Sequence, residues 1–394
     1  MTQNNINFLK NIKVKISEPF DKVSISFLDH LSSELKKNKK IFQSPELFYL
    51  MLFCSKKNIL KFKNCFKENL FRVGRGLAFH VCPNNVPINF VFSFIFGLLS
   101  GNTNIIKLPS QHSEEKKLIL KCINRVFTMK KFFRLKKTNF FIEYNHDTNV
   151  DITKLVSAKS DSRIIWGGDA TVNTLRKIET PPRCIDINFS DRYSLSVINS
   201  KEMNNLPKNT INILARKFFY DVFTMNQMAC NSPHFIFWVG QINPKIEKYF
   251  WNKVSEISKE KFKFDEVHVI RKYNNLIDKV MDLKFINKVN MYKNFLYVVN
   301  VNEKILNIEN IRGESGTIFQ IKIKNMNKLS KFIKKKCQTI TYYGIQEKDF
   351  KNLIKKDSLL GADRIVEIGR AFDFDLNWDG FDTIKTLTRV VNFN

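Results

Sequence analysis

Of the seven cysteines in this chain, Cys230 stands in the setting best suited to chemistry, within MNQMACNSP and flanked by Asn226, Gln227, Asn231 and Ser232. A lone cysteine is more often a small buried apolar residue. A thiol whose ordinary pKa is about 8.5 becomes a working nucleophile where donors or a helix end stabilise its thiolate. The polar neighbours predict an exposed turn. PNNVP, residues 83–87, clamps two carboxamides between prolines. Asn85 there either aims an amide at a developing oxyanion or closes an Asx turn, and spacing leaves the two readings equal. Lys107 ends the run GNTNIIK, where α/β sheets bind ligands, although a solvated lysine is the commoner outcome. In WGGD, Gly168 and Asp169 open the next helical segment. They either bring a pyrophosphate to backbone N–H groups or form an ordinary capped turn. There is no GxGxxG, and VGRG at 73–76 does not supply one.

These residues need elements to hold them. Small residues, prolines and apolar runs from Val73 predict a strand over 76–81, the 83–87 turn, a buried helix over 88–100, a Gly-Asn turn and a strand over 104–108. That is a βαβ unit and implies a parallel sheet. A charged helix follows, capped by Ser113 and Glu114, and SRIIWGGDATVNTLRKI repeats the strand–turn–helix pattern. After a strand over 194–198, Ile211, Leu214, Phe218 and Val222 share one face of a long helix. Cys230 then falls in the short turn before a dense apolar strand over 234–239. Residues 1 to about 68 read as helical and charged.

With 394 residues, the chain fits about two domains and can bury a substantial core. The net charge of +28 predicts attraction to polyanions. The basic residues are scattered in short clusters, however, with no basic arm and no aromatic-interleaved motif, so no dedicated nucleic-acid groove is expected. The cysteines form no CxxC pair, and no His lies at zinc-finger spacing. Reduced thiols and no metal are expected. The longest apolar stretch, 88–99, is well short of the roughly 20 residues of a membrane span, and the first residues lack a secretory pattern. A cytoplasmic protein without a membrane span is expected.

The order strand–PNNVP–helix–GNTNIIK, strand–glycines–helix, cysteine turn resembles the aldehyde dehydrogenase superfamily. More narrowly, WGGDATVNTLR, INFSDRYSLSVI, NQMACNSPH, GADRIVEIGRAFDFDLNWDGFD and LTRVV resemble the acyl-CoA reductase family, typified by the fatty-acid reductase subunit of bacterial bioluminescence. The likeness spans about residues 70–392 and is weaker over 240–310.

The resemblance implies an α/β, aldehyde dehydrogenase-like fold: a Rossmann-like cofactor domain plus an α/β catalytic domain. We expect N-terminal helices and nucleotide-binding domain over 1–198, the catalytic domain over 199–365 and a C-terminal segment over 366–394. It implies Cys230 as nucleophile, with Asn85 and the Cys230 backbone N–H on the oxyanion. It further implies Lys107 on the adenosine ribose and Gly168 and Asp169 near the pyrophosphate. Glu314 in RGESGTIF matches the carboxylate on the nicotinamide ribose, or is simply a loop glutamate. Ser110, three residues after Lys107, takes the place of a glutamate that repels the 2′-phosphate. NADPH is therefore expected over NADH. Aldehyde-oxidising relatives carry a general-base glutamate where this chain reads IDINFSDRYS. That departure favours reduction of a fatty acyl thioester, on CoA or another carrier, to an aldehyde. NAD-dependent aldehyde oxidation and a non-catalytic basic binding protein on the same fold are the alternatives. A homo-oligomer and an acyl-transferring partner protein are also expected.

Overall fold

The structure, a computed structural model, describes Leu9 and residues 11–66, 69–83, 86, 88–145, 149–262, 266–282, 285–305 and 307–393, with 279–282 as backbone only. It divides into two compact units, residues 1–190 with 374–394, and residues 191–373.

The first unit opens with three helices, α1 (Lys22–Lys36), α2 (Pro45–Phe53) and α3 (Lys56–Cys65). The Asp21 carboxylate caps α1, accepting from the N–H groups of Val23 and Ser24 at 2.9 and 3.1 Å. There follow β1 (Arg72–Gly74), β2 (Leu77–Val81), α4 (Asn89–Leu99), β3 (Thr103–Lys107), α5 (Glu114–Phe127) and β4 (Asn139–Ile142). After these come α6 (Val150–Ser157), β5 (Ser162–Trp166), α7 (Asp169–Arg176) and β6 (Ile185–Phe189). The sheet order is β4-β3-β2-β5-β6, parallel throughout. Strand order reverses beside β2, the doubly wound arrangement that opens a crevice at the carboxyl ends of β2 and β5.

Every residue of α4 is buried, as an all-round apolar helix requires. Its one hydroxyl, Ser93 Oγ, sits 2.8 Å from His80 Nδ1 and accepts from Trp166 Nε1 at 3.0 Å. His80 Nε2 lies 3.1 Å from Asn104 Oδ1. Burial pushes the His80 imidazolium down to about 4. The expected cap of α5 is present: Ser113 Oγ accepts from Lys116 N–H at 3.0 Å.

The second unit contains β7 (Tyr193–Asn199), α8 (Lys208–Phe223), β8 (Pro233–Val239), α9 (Pro244–Lys261), α10 (Glu266–Asp282) and β9 (Ile286–Tyr292). It continues with β10 (Leu296–Val301), β11 (Thr317–Ile323), β12 (Cys337–Tyr343), α11 (Glu347–Asp357) and β13 (Arg364–Glu367). Seven strands run in the order β13-β12-β7-β8-β11-β10-β9, all parallel except β9, which is antiparallel to β10. One face buries Leu195, Phe235, Phe237 and Phe319. The other buries the predicted stripe of α8, Ile211, Leu214, Phe218 and Val222, against Ile236 and Trp238.

Residues 374–394 return to the first unit. They form β14 (Asn377–Trp378), β15 (Phe381–Asp382) and β16 (Thr388–Val390), and β16 pairs antiparallel with β1, Gly74 opposite Thr388. Asn102 Nδ2 and Arg75 Nε donate to the carbonyls of Leu387 and Thr386 at 2.9 and 2.7 Å. The first division therefore falls at 190/191, against an expected 198/199, because β7 hydrogen-bonds β8 and β12. The second falls at 373/374, against 365/366, because Asp221 holds the N–H groups of Gly369 and Ala371.

Among the described residues no helix is long and apolar enough to cross a membrane. No cluster of His, Cys, Asp and Glu there could hold a metal ion.

Candidate active site

In the first unit the singled-out residues gather on the carboxyl edge of the parallel sheet. Cys82 and Pro83 leave β2, Lys107 ends β3, and Gly167 and Gly168 join β5 to α7. Lys107 is buried, with Nζ 5.5 Å from the centre of the Tyr144 ring. Ser110 is exposed. Gly168 is the N-cap of α7, and no side chain caps that helix. A Cβ added at Gly168 would meet nothing within 4 Å. Gly168 thus leaves open space where a side chain would stand, and no side chain caps the first turn of α7. Asn85 lies outside the described residues.

In the second unit Cys230 sits between the carbonyl end of α8 and the start of β8. The thiol-bearing residue is half-buried. Cys54, Cys82 and Cys337 are buried, and burial pushes all three thiols up, Cys337 to about 12. Cys184 is pushed up to about 11, again mainly by burial. These four are poor nucleophiles near neutrality.

The turn around Cys230 is less exposed than its composition suggested. Gln227, Asn231 and Ser232 are all buried, and the side-chain amides of Gln227 and Asn231 serve the backbone instead of solvent. Gln227 Nε2 donates to the carbonyls of Pro233 and Thr317 at 3.2 and 3.0 Å, and its Oε1 accepts from Gly316 N–H at 2.9 Å. Asn231 Nδ2 donates to Ala371 O at 2.7 Å. Ser194 Oγ donates to Cys230 O at 2.6 Å and accepts from Thr339 N–H at 3.1 Å. Asn226 Nδ2 meets His268 Nε2 at 3.1 Å. These bonds hold a costly backbone: Met225, Asn226 and Gln227 have φ of 53°, 54° and 64°. Left-handed backbone costs a non-glycine residue about 1–2 kcal/mol.

Glu314, half-buried, lies in the facing loop. Gly313 N–H donates to His234 Nδ1 at 3.1 Å, which puts that imidazole's proton on Nε2. Burial, with Arg312 adding to it, pushes the His234 imidazolium down to about 3. Gly316 has φ 91°, and a Cβ there would meet the Phe223 ring at 2.5 Å. The structure therefore joins the Cys230 and Glu314 loops through Gln227, and separately groups Lys107, Ser110, Gly168 and Asp169 on the first sheet.

The sequence reading missed Asp221. It lies three residues after Phe218 on the apolar face of α8, so a charge at core spacing was its signal. Its carboxylate accepts from the N–H groups of Gly369 and Ala371 at 2.6 and 2.9 Å, and burial outweighs those bonds to push its pKa up to about 7. Arg364 donates to the carbonyls of Arg370, Ala371 and Asp373. The 369–373 segment, on which Asn231 rests, is thereby fixed. Neither aspartate of IDINFSDRYS is idle. Asp186 takes a two-point contact from Arg163 at 2.8 and 2.7 Å, and Asp191 faces Arg312 at 3.4 Å and Lys336 at 3.8 Å.

The chain is similar in family and fold to known proteins. A family model described as Acyl-CoA reductase (LuxC) matches residues 3–390. The long-chain acyl-protein thioester reductase of Aliivibrio fischeri is 22% identical over 330 residues, 81% of this chain and 63% of that protein. The chain thus spans less than two thirds of that relative's length. Among solved structures, a lactaldehyde dehydrogenase superposes with a TM-score of 0.64 at 11% identity, covering 93% of this chain and 86% of the other. A putative aldehyde dehydrogenase from Burkholderia cenocepacia gives 0.66 at 8%, with the same coverage. The expected aldehyde dehydrogenase-like α/β fold is the one the chain adopts.

Proposed function

We propose that this chain, which belongs to the acyl-CoA reductase (LuxC) family, reduces a fatty acyl thioester to an aldehyde through a covalent acyl group on Cys230. The observation that carries the reading is the half-buried thiol on a turn held by Gln227, Asn231 and Ser194. Such a thiol is accessible, yet fixed enough to meet a carbonyl in one orientation.

The thiolate attacks the acyl carbonyl, a carbon–sulfur bond forms to Cys230, the bond to the carrier sulfur breaks, and the carrier leaves as its thiolate. Asn85 and the Cys230 backbone N–H stabilise the oxyanion. Lys107 binds the adenosine ribose, the open N-terminus of α7 at Gly168 and Asp169 receives the pyrophosphate, and Glu314 holds the nicotinamide ribose. A nicotinamide nucleotide held there would supply the hydride that takes the acyl carbon to the aldehyde level, with Cys230 then leaving as thiolate. Ser110 offers a hydroxyl and no charge, so NADPH is favoured over NADH. With Asp186 held by Arg163, and Asp191 by Arg312 and Lys336, no carboxylate of IDINFSDRYS is left to activate water. That supports acyl transfer over hydrolysis.

Incubation with a long-chain acyl-CoA should add one acyl mass to Cys230, NADPH should discharge it as aldehyde, and Cys230→Ala should abolish both while leaving the fold intact. An adduct on Cys82 or Cys184 alone would refute the assignment. Parallel kinetics with NADPH and NADH test the cofactor choice, which equal efficiency with NADH would overturn.

A further inference from the structure

Resting on that reading, we infer that Gln227 is a positioning residue that places the nucleophile and the cofactor-facing carboxylate together, by one side chain. Three observations converge on it. First, Gln227 is buried and spends all three of its used hydrogen-bonding positions on backbone: two donated bonds to Pro233 O and Thr317 O, and one accepted from Gly316 N–H. Two of these partners, Gly316 and Thr317, follow Glu314 where its loop enters β11, and the third begins the strand after Cys230. Second, Gln227 ends three consecutive left-handed residues, none of them glycine. A backbone of that kind persists only when its surroundings over-determine it, and the Gln227 bonds to Gly316 and Thr317 reach across to the other loop. Third, the facing loop has no slack. A Cβ at Gly313 would lie 1.8 Å from Thr317 O and 3.1 Å from Gln227 Nε2, and one at Gly316 would meet the Phe223 ring. With both loops this tightly seated, a displacement of one reaches the other through the amide between them.

A side chain that only supported the fold would lower the amount of active protein and leave its Michaelis constants alone. A coupling residue changes both halves of the reaction. The test uses the full chain with Gln227→Met, which keeps the length and removes all three bonds. Gln227→Glu, which keeps the acceptor toward Gly316 and sets a carboxylate against two carbonyls, serves if the methionine variant does not fold. Alkylation of Cys230 by iodoacetamide should slow about tenfold, and KM for NADPH should rise about tenfold, the scale expected when buried hydrogen bonds are lost. KM for the acyl thioester should hold. Glu314→Gln should also raise KM for NADPH, and the double variant should be no worse than the worse single one, since both disturb the same carboxylate. Multiplying effects on that KM, or a change confined to the folded fraction, would overturn the inference. Failure of the underlying reading looks different: the native chain itself would take no acyl group on Cys230. If native and Gln227→Met chains acylate and bind NADPH alike, the reading stands and this inference falls.

Discussion

The two units place their chemistry at opposite ends of their parallel sheets. In the first, Lys107 and the Gly167–Gly168 turn follow the strands they belong to, so the next helix presents its amino end, as α7 does. In the second, Cys230 and Glu314 precede β8 and β11, and the helix nearest in sequence to the thiol, α8, presents its carboxyl end. A helix N-terminus carries about half a positive charge, and a C-terminus the opposite. The first edge is therefore ready for an anion without side-chain help. The turn that carries Cys230 follows a helix carboxyl end instead, and it is built from side-chain bonds to backbone. The start of α7 has no side-chain cap, whereas the Cys230 turn is held by Gln227, Asn231 and Ser194, with Asp221 fixing the segment on which Asn231 rests.

Asn85 puts most strain on that contrast, because it follows β2 yet is proposed to serve the acyl group. Asn85→Ala should cut turnover about 100-fold, the cost of one oxyanion donor, with KM for NADPH unchanged in steady-state kinetics. A change in nucleotide affinity alone would return Asn85 to the nucleotide side. Gly168→Val separates the halves next. The added side chain has room, since nothing lies within 4 Å, but it occupies the space before the α7 N–H groups. KM for NADPH should rise about tenfold, while the rate at which acyl-CoA labels Cys230 stays constant. If labelling slows in step, the two edges do not work separately.

The smallest effect is on stability against pH. The buried, neutral His80 of the first unit has its pKa pushed down to about 4 from an ordinary 6.5. Its contribution is complete above pH 6.5 and is lost as pH falls toward 4, on the order of 3 kcal/mol. His234 acts in the same sense in the second unit. Asp221, pushed up to about 7, opposes it: protonation suits its buried site, so it adds stability as pH falls below 7. Hydrogen exchange followed from pH 6.5 to 4.5 should lose protection in β2 and α4 faster than in α8 and β8. Equal losses would contradict these assignments.

Much of this was legible from residue order. The strand at 77–81, the helix at 89–99, the strand at 103–107 and the Ser113 cap all follow from local periodicity and capping chemistry, and they match expectation within about a residue at each end. What stayed hidden depends on distant partners. Gln227 bonds a residue 89 positions away, and no glycine marks the left-handed turn at 225–227, so a polar stretch read as exposed. The three-residue pairing of β16 with β1 is too short to carry a periodic signal.

That last pairing has a consequence for synthesis. The first unit is discontinuous in the chain: residues 191–373 are inserted between its body and its final strand. A ribosome working from the amino end polymerises the whole second sheet before β16 exists to pair with β1. The second unit can thus fold as a continuous piece during translation, while the first, although begun earlier, waits for β16. Loss of β16 would leave the second sheet whole and expose the Arg72–Gly74 edge of the first unit.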